Sequence, residues 1–180
     1  MKKWFLILSL CSFAINSFAE DTQFINEVSL GIGESKDNIG IYRLGVKKDF
    51  EKTFFESDYG WLSGYYEASL NYWEKEGDTI YGIALSPVFV YYMGSKSNTI
   101  HPYIEGGIGV SFLSDTMIKS RNMTTNFNFE DRIGAGIRME SFDLNARYMH
   151  YSNASIKQPN DGIDIFIFTM SYIFSRFYLS

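Results

Sequence analysis

Cysteine and proline are scarce in this chain, with one Cys and three Pro among 180 residues. The single Cys11 follows Leu10, whereas a lipoprotein signal places a small residue before its cysteine, so no lipid anchor is predicted. No stretch beyond residue 19 approaches the ~20 apolar residues that a membrane helix requires. These shortages exclude a disulfide framework and a helical membrane span.

The first nineteen residues differ in character from the rest of the chain. Two lysines precede an apolar run from Trp4 to Ala14, and small residues stand at the −3 and −1 positions of a cleavage site after Ala19. This pattern predicts a secretory signal peptide over 1–19 and a single mature domain over 20–180. Cys11 belongs to the leader, so no thiol chemistry is expected in the mature domain.

Positive charge is also in short supply. The formal net charge is −5, and removal of Lys2 and Lys3 with the leader would make it −7. Such an acidic domain is not expected to bind nucleic acid. Aromatic side chains are abundant instead, with 13 Tyr and 16 Phe making up most of an 18% aromatic content.

Alternation of apolar and polar residues is the main structural signal after the leader. A period of two residues is typical of strands that present one face to an apolar environment. Eight segments contain apolar residues in this pattern, although the fourth is more continuously apolar. They lie at 28–32, 42–46, 66–72, 80–92, 104–112, 127–137, 142–148 and 166–174.

The polar faces of these segments bear charges of both signs, which suits ion pairs inside a narrow barrel. They include Glu67, Glu105, Glu130, Arg132, Arg138, Asp143 and Arg147. Together with the leader, this predicts an all-β protein, an eight-stranded antiparallel transmembrane β-barrel with lipid outside. The alternative is a soluble secreted β-sandwich or lipocalin-like barrel, whose apolar face would form a core.

One acidic residue does not fit the predicted barrel. Asp131 has the same parity as Phe129 and Ile133, which places it on the lipid face. A β-bulge would turn it inward, and the sequence leaves both facings open.

The even strand number places both termini in the periplasm and assigns each connection to one side. The connections near Ser35 and Gly77, and the longer ones over 115–125 and 153–162, then face the cell exterior.

A polar group interrupts the apolar stripe at the end of the seventh segment. His150 and Ser152 share the face that points to lipid, and Asp164 has the matching parity on the next strand. Imidazole, hydroxyl and carboxylate can act as base, nucleophile and orienting acid in acyl transfer. Neighbouring Asn153 could donate a hydrogen bond to the oxyanion. Alternatively, the strand has simply emerged into the headgroup layer, where polar residues are common.

The run His150-Tyr151-Ser152-Asn153-Ala154, followed by Lys157-Gln158-Pro159-Asn160 and Gly162, resembles the active-site segment of PagL-type lipid A 3-O-deacylases. A looser similarity covers 102–107 and 129–136. The resemblance implies a bacterial outer-membrane barrel that hydrolyses the 3-linked 3-hydroxyacyl ester of lipid A without a metal or cofactor.

Residue roles follow from the same resemblance. It implies His150 as base, Ser152 as nucleophile, Asn153 as oxyanion residue and Asn160 as an assisting residue. Asp164 stands where the family usually has Glu, which is one methylene longer, and Asp161 is a fallback acid.

Two rival functions remain open from the sequence. One is a phospholipase or acyltransferase reaction on the same scaffold, and the other is a non-enzymatic outer-membrane barrel. The expected partners are lipopolysaccharide and outer-membrane lipids. A homodimer is compatible with the sequence, which does not specify an oligomeric state.

Overall fold

The computed structural model describes residues 24–174 as strands and their connections. The predicted signal peptide lies outside the described residues. Within 24–174, no helix is long and apolar enough to cross a membrane. The eleven strands are β1 (Glu27–Ser35), β2 (Gly40–Asp49), β3 (Phe55–Ser57), β4 (Gly60–Lys75), β5 (Asp78–Met93), β6 (His101–Leu113), β7 (Met117–Ile118), β8 (Arg121–Asn122), β9 (Phe127–Arg138), β10 (Phe142–Ser152) and β11 (Ile163–Ile173).

Eight of these strands close into one barrel in which every neighbouring pair is antiparallel. The order around the wall is β1, β2, β4, β5, β6, β9, β10 and β11, and β11 pairs with β1 to complete the ring. β2 pairs directly with β4, so the ring has no open edge between these two strands. The predicted fold is therefore confirmed. We call the end with the β1–β2 and β10–β11 connections the loop end, and the opposite end the terminal end.

The structure lengthens some predicted strands and settles the facing of the fourth. β4 begins at Gly60, ahead of the predicted segment. The prediction missed its first residues because they are covered on both faces and therefore show no alternation of apolar and polar side chains. The short β3 pairs with this stretch, and the Phe50 ring lies against Gly64. In β5, Val88 and Val90 point inward, and Phe89 between them faces outward.

Ion pairs occupy the middle of the barrel interior. The fully buried Glu67 binds Arg43 at 2.6 Å, Arg132 at 3.1 Å and Arg147 at 3.2 Å. Glu130 binds Arg43 at 2.8 Å and also contacts Arg132. All seven charged residues predicted for the inner face are buried. Their network fills the lumen with paired charges, so the barrel is a packed structure and not a wide channel.

Apolar side chains close the lumen on both sides of this network. Toward the loop end, a cluster that we call the apolar plug contains Ile39, Ile41, Trp73, Ile80, Leu113, Ile118, Met123, Met149, Tyr151, Ile163, Ile165 and Ile167. Toward the terminal end, the cluster consists of Trp61, Tyr65, Val88, Val90, Tyr92 and Tyr103.

The outer wall exposes the apolar residues that alternate with the buried ones. Leu30, Ile108 and Ile133 are each more than 60% exposed, as are others around the ring. An apolar exterior around a charged interior is the arrangement of a barrel that spans a membrane. It contradicts the alternative of a soluble β-sandwich or lipocalin-like barrel, whose apolar face would be inside.

We predict that Glu67→Gln destabilises the barrel, because three arginines lose the charge of a shared partner. Removing one member of a buried ion pair typically costs about 3–5 kcal/mol. Thermal unfolding of the purified protein in detergent would measure the change. Glu51→Gln, an exposed position in a connection, is the matched control and should unfold as the wild type does. Equal stability of both variants would contradict a structural role for the network.

Candidate active site

His150 and Asp164 are direct partners across the β10–β11 pair, near the loop end. The His150 Nδ1 and Asp164 Oδ1 atoms lie 2.8 Å apart. With the proton on Nδ1, the imidazole donates to the carboxylate and leaves Nε2 as a free acceptor. Asp therefore reaches the histidine despite being one methylene shorter than Glu.

Packing inside the barrel fixes these two side chains on the outer wall. Met149 and Tyr151, on either side of His150, point into the apolar plug and are 1% exposed. Ile163 and Ile165 do the same on either side of Asp164. Because successive strand residues face opposite ways, burial of these neighbours turns His150 and Asp164 toward the lipid side.

Ser152 lies at the end of β10, two residues beyond His150 and on the same face. Two residues along a strand span roughly 6.5 Å between Cα atoms, so the hydroxyl and the imidazole are close neighbours. The Ser152 side chain is half-buried and forms no hydrogen bond within the described part of the chain. Its hydroxyl is thus not engaged by another group of the described residues and shares a face with the imidazole, without a hydrogen bond to it.

Lys36 is a site residue that the sequence analysis missed. Its Nζ lies 3.1 Å from Asp164 Oδ2, so each carboxylate oxygen has its own partner, one on Lys36 and one on His150. The hydrogen bond and charge of Asp164 raise the pKa of Lys36 above its ordinary value. The sequence shows only that a lysine follows β1 directly; the β1–β11 register that brings it to Asp164 comes from the structure.

Asp161, the fallback acid, lies elsewhere. Its carboxylate accepts a hydrogen bond from the backbone N–H of Asn122 at 2.8 Å. It therefore joins the β10–β11 loop to the β7–β8 hairpin. The carboxylate beside His150 belongs to Asp164.

Asn153 and Asn160 are joined, but their amides have different surroundings. The Asn153 side-chain nitrogen donates to the Met123 carbonyl at 2.8 Å and to the Lys157 carbonyl at 2.9 Å, so both its N–H groups are occupied. The Asn153 backbone N–H donates to Asn160 Oδ1 at 3.1 Å. The Asn160 side-chain nitrogen has no hydrogen-bond partner within 24–174 and remains free to donate.

Gly162 lies against the catalytic histidine candidate. Its φ is +61°, a left-handed conformation that favours glycine. A Cβ built on it would lie 3.0 Å from His150 Cε1 and 3.2 Å from the Tyr151 carbonyl oxygen. Glycine at this position lets the chain turn into β11 without displacing the imidazole.

The chemistry of this arrangement is that of nucleophilic acyl transfer. A hydroxyl, an imidazole and a carboxylate lie in sequence on one wall, with an unpartnered amide donor nearby. No group of three or more His, Cys, Asp or Glu side chains that could hold a metal ion occurs among the described residues. The hydroxyl, imidazole and carboxylate are the groups that a serine esterase uses.

Comparison with known proteins points to one family. Residues 40–173 match the family model described as lipid A 3-O-deacylase (PagL). The lipid A deacylase PagL of Pseudomonas aeruginosa is 41% identical over 141 residues, which cover 77% of this chain and 80% of that protein. The PagL of Bordetella bronchiseptica is 29% identical over 179 residues and 96% of both chains.

A solved structure supports the same assignment. The crystal structure of the outer membrane enzyme PagL superposes with a TM-score of 0.77 at 38% sequence identity. The match covers 81% of this chain and 97% of that one. The barrel fold is therefore shared with a known enzyme.

We predict that Gly162→Ala lowers ester hydrolysis on the order of 10–100-fold, because the new methyl group displaces the imidazole and small misplacements are costly in catalysis. Gly77→Ala is the matched control. Gly77 also has a positive φ, +87°, but a Cβ there would meet nothing within 4 Å. Initial rates with a lipid ester would compare the variants. An equal loss in both would show that backbone strain, and not contact with His150, is responsible.

Proposed function

This chain belongs to the lipid A 3-O-deacylase (PagL) family, and we propose that His150, Ser152 and Asp164 are the catalytic residues with which it removes the 3-linked 3-hydroxyacyl chain of lipid A. The protein is an outer-membrane esterase with a β-barrel fold. The observation that supports the site most strongly is the His150–Asp164 hydrogen bond on the lipid-facing wall, beside Ser152.

The reaction begins when Ser152 Oγ attacks the ester carbonyl and His150 Nε2 accepts the hydroxyl proton. Asp164 holds the imidazole through Nδ1 and stabilises the imidazolium that forms. His150 then returns the proton to the sugar 3-oxygen as the C–O bond breaks, leaving an acyl-enzyme. Water, activated by the same histidine, releases the free 3-hydroxy fatty acid and regenerates Ser152.

The oxyanion of the tetrahedral intermediate requires a hydrogen-bond donor. We assign this donor to Asn160, whose side-chain nitrogen is unoccupied, and a positioning role to Asn153. Asn153 fixes Asn160 Oδ1 through its backbone N–H and ties the loop to the Met123 carbonyl. A preorganised donor of this kind is typically worth ~10²–10³ in turnover.

The location of the site suits a substrate that is itself a membrane lipid. Lipid A occupies the outer leaflet, and the loop end is the end that the strand count assigns to the cell exterior. The ester then approaches laterally from the bilayer and never enters the lumen, which ion pairs and the apolar plug fill.

The family assignment disfavours both rivals, a non-enzymatic barrel and a phospholipase or acyltransferase. A homodimer stays a prediction of the sequence.

We predict that cells expressing the wild-type protein produce lipid A lighter by one 3-hydroxyacyl chain, and that Ser152→Ala leaves lipid A intact, because the variant lacks the hydroxyl that we assign as the nucleophile. Mass spectrometry of extracted lipid A measures the difference. Equal amounts of folded protein in the outer membrane, seen by heat-modifiable electrophoretic mobility, provide the control. Intact lipid A in cells with folded wild-type protein would contradict the proposal. Altered phospholipids would favour the phospholipase or acyltransferase reaction.

A further inference from the structure

We propose that Asp131 recognises the hydroxyl group of the 3-hydroxyacyl chain and so selects hydroxylated over unsubstituted acyl esters. This inference rests on the proposed function, because it concerns the acyl chain attacked by Ser152. It assigns a role to the residue that contradicted the apolar pattern of the outer wall.

The register of the barrel places Asp131 on the outer surface. Asp131 pairs with Ile108 on β6 and with His150 on β10, and the pairing on both sides continues without a bulge. Its neighbours Glu130 and Arg132 point into the lumen, where they contact each other. Asp131 is half-buried on the opposite face, so the outward facing that parity predicts is the one observed.

Asp131 also lies deeper in the wall than the other polar residues of the site. Asp164 is the second residue of β11, His150 is the third from the end of β10, and Asp131 is the fifth residue of β9. The row formed by these paired residues therefore moves away from the loop end as it crosses the tilted strands. Asp131 stands on the side of His150 toward the acyl chains.

The Asp131 carboxylate has no hydrogen-bond or ion-pair partner among the described residues. An ionisable side chain on a lipid-facing wall is costly and usually marks a functional position. Asp131 does not serve as the orienting acid, because the single Nδ1 proton of His150 already binds Asp164. We therefore expect its partner outside the described residues, in the lipid that covers this wall.

An apolar groove beside Asp131 suits an acyl chain. It lies between the β5–β6 wall and the ridge formed by Tyr148 and His150, and Asp131 is part of its lining. The apolar lining includes Pro87, Phe89, Ile108 and Ile133. The groove is open along the wall, so an acyl chain can enter it from the bilayer.

The separation between Asp131 and Ser152 matches the spacing of groups in the substrate. Ser152 is paired with Phe129, which makes Asp131 its diagonal neighbour on β9. Diagonal neighbours lie roughly 7–8 Å apart, with their Cβ atoms somewhat closer, and the two side chains shorten this gap further. In a 3-hydroxyacyl ester, the hydroxyl lies only two carbons from the carbonyl carbon. A carbonyl at Ser152 thus brings the hydroxyl within reach of Asp131.

A carboxylate at this position both favours a hydroxylated acyl chain and disfavours an unsubstituted one. A carboxylate accepts a strong, charge-assisted hydrogen bond from a hydroxyl. An acyl chain without the hydroxyl would fill the groove and cover the carboxylate with no donor in place of water. Because a hydrogen bond to a charged group is stronger than one between neutral groups, the expected preference is on the order of 10–100-fold in kcat/KM.

The test uses two synthetic glucosamine esters that differ in one atom, a 3-O-(3-hydroxytetradecanoyl) and a 3-O-tetradecanoyl derivative. The full-length protein in detergent micelles is assayed as wild type, Asp131→Ala and Asp131→Asn. Asp131→Asn retains a neutral acceptor of the same size and guards against a folding defect. The control is Glu34→Ala, an outward-facing acid on β1 that lies on the far side of Asp164.

We expect the wild type and Glu34→Ala to favour the hydroxylated ester on the order of 10–100-fold, and Asp131→Ala to lose this preference through a selective fall on that ester. Asp131→Asn should retain part of it. Equal rates of the wild type on both esters would overturn the inference. So would an equal fall on both in Asp131→Ala, particularly with a shifted pH profile, which would indicate positioning of His150. Failure of the wild type on both esters would contradict the proposed function itself.

Discussion

The alternation of side chains along closed, antiparallel strands is the constraint on which the rest of this structure depends. A residue that packs inward forces its neighbours outward, and closure of the ring leaves no strand free to shift its register. The ion pairs around Glu67 and the apolar plug determine which residues point inward. The residues that alternate with these inward-pointing ones then face outward. They include polar residues whose exposure to lipid is unfavourable in itself.

The proposed active site is consequently a row of side chains across the outer wall near the loop end. Lys36 binds Asp164, Asp164 binds His150, and each contact joins two different strands or connections. The β10–β11 loop completes the site, because its asparagines are tied both to each other and to the Met123 carbonyl. The packed barrel therefore positions the groups that we propose as catalytic, and its interior serves as their support.

Much of this arrangement could be predicted from the sequence, since a period of two residues determines strand faces directly. It placed His150, Ser152 and Asp164 on one wall and the arginines and glutamates inside. Contacts between residues distant in the chain were beyond it. Lys36 reaches Asp164 only because the first and last strands pair, and the amide of Asn153 is occupied by carbonyls of two different loops. Parity anticipated the facing of Asp131, but only the unbroken pairing of β9 with both neighbours excluded a bulge.

The central proposal for this molecule is a serine nucleophile, Ser152, on the outer wall of the barrel. The most direct measurement is covalent labelling of the folded protein in detergent with a long-chain alkyl phosphonate ester, followed by peptide mass spectrometry. We expect one phosphonate per chain, located on Ser152, with loss of esterase activity in proportion to labelling. A label on a different residue that abolishes activity, or full activity after complete labelling of Ser152, would contradict it.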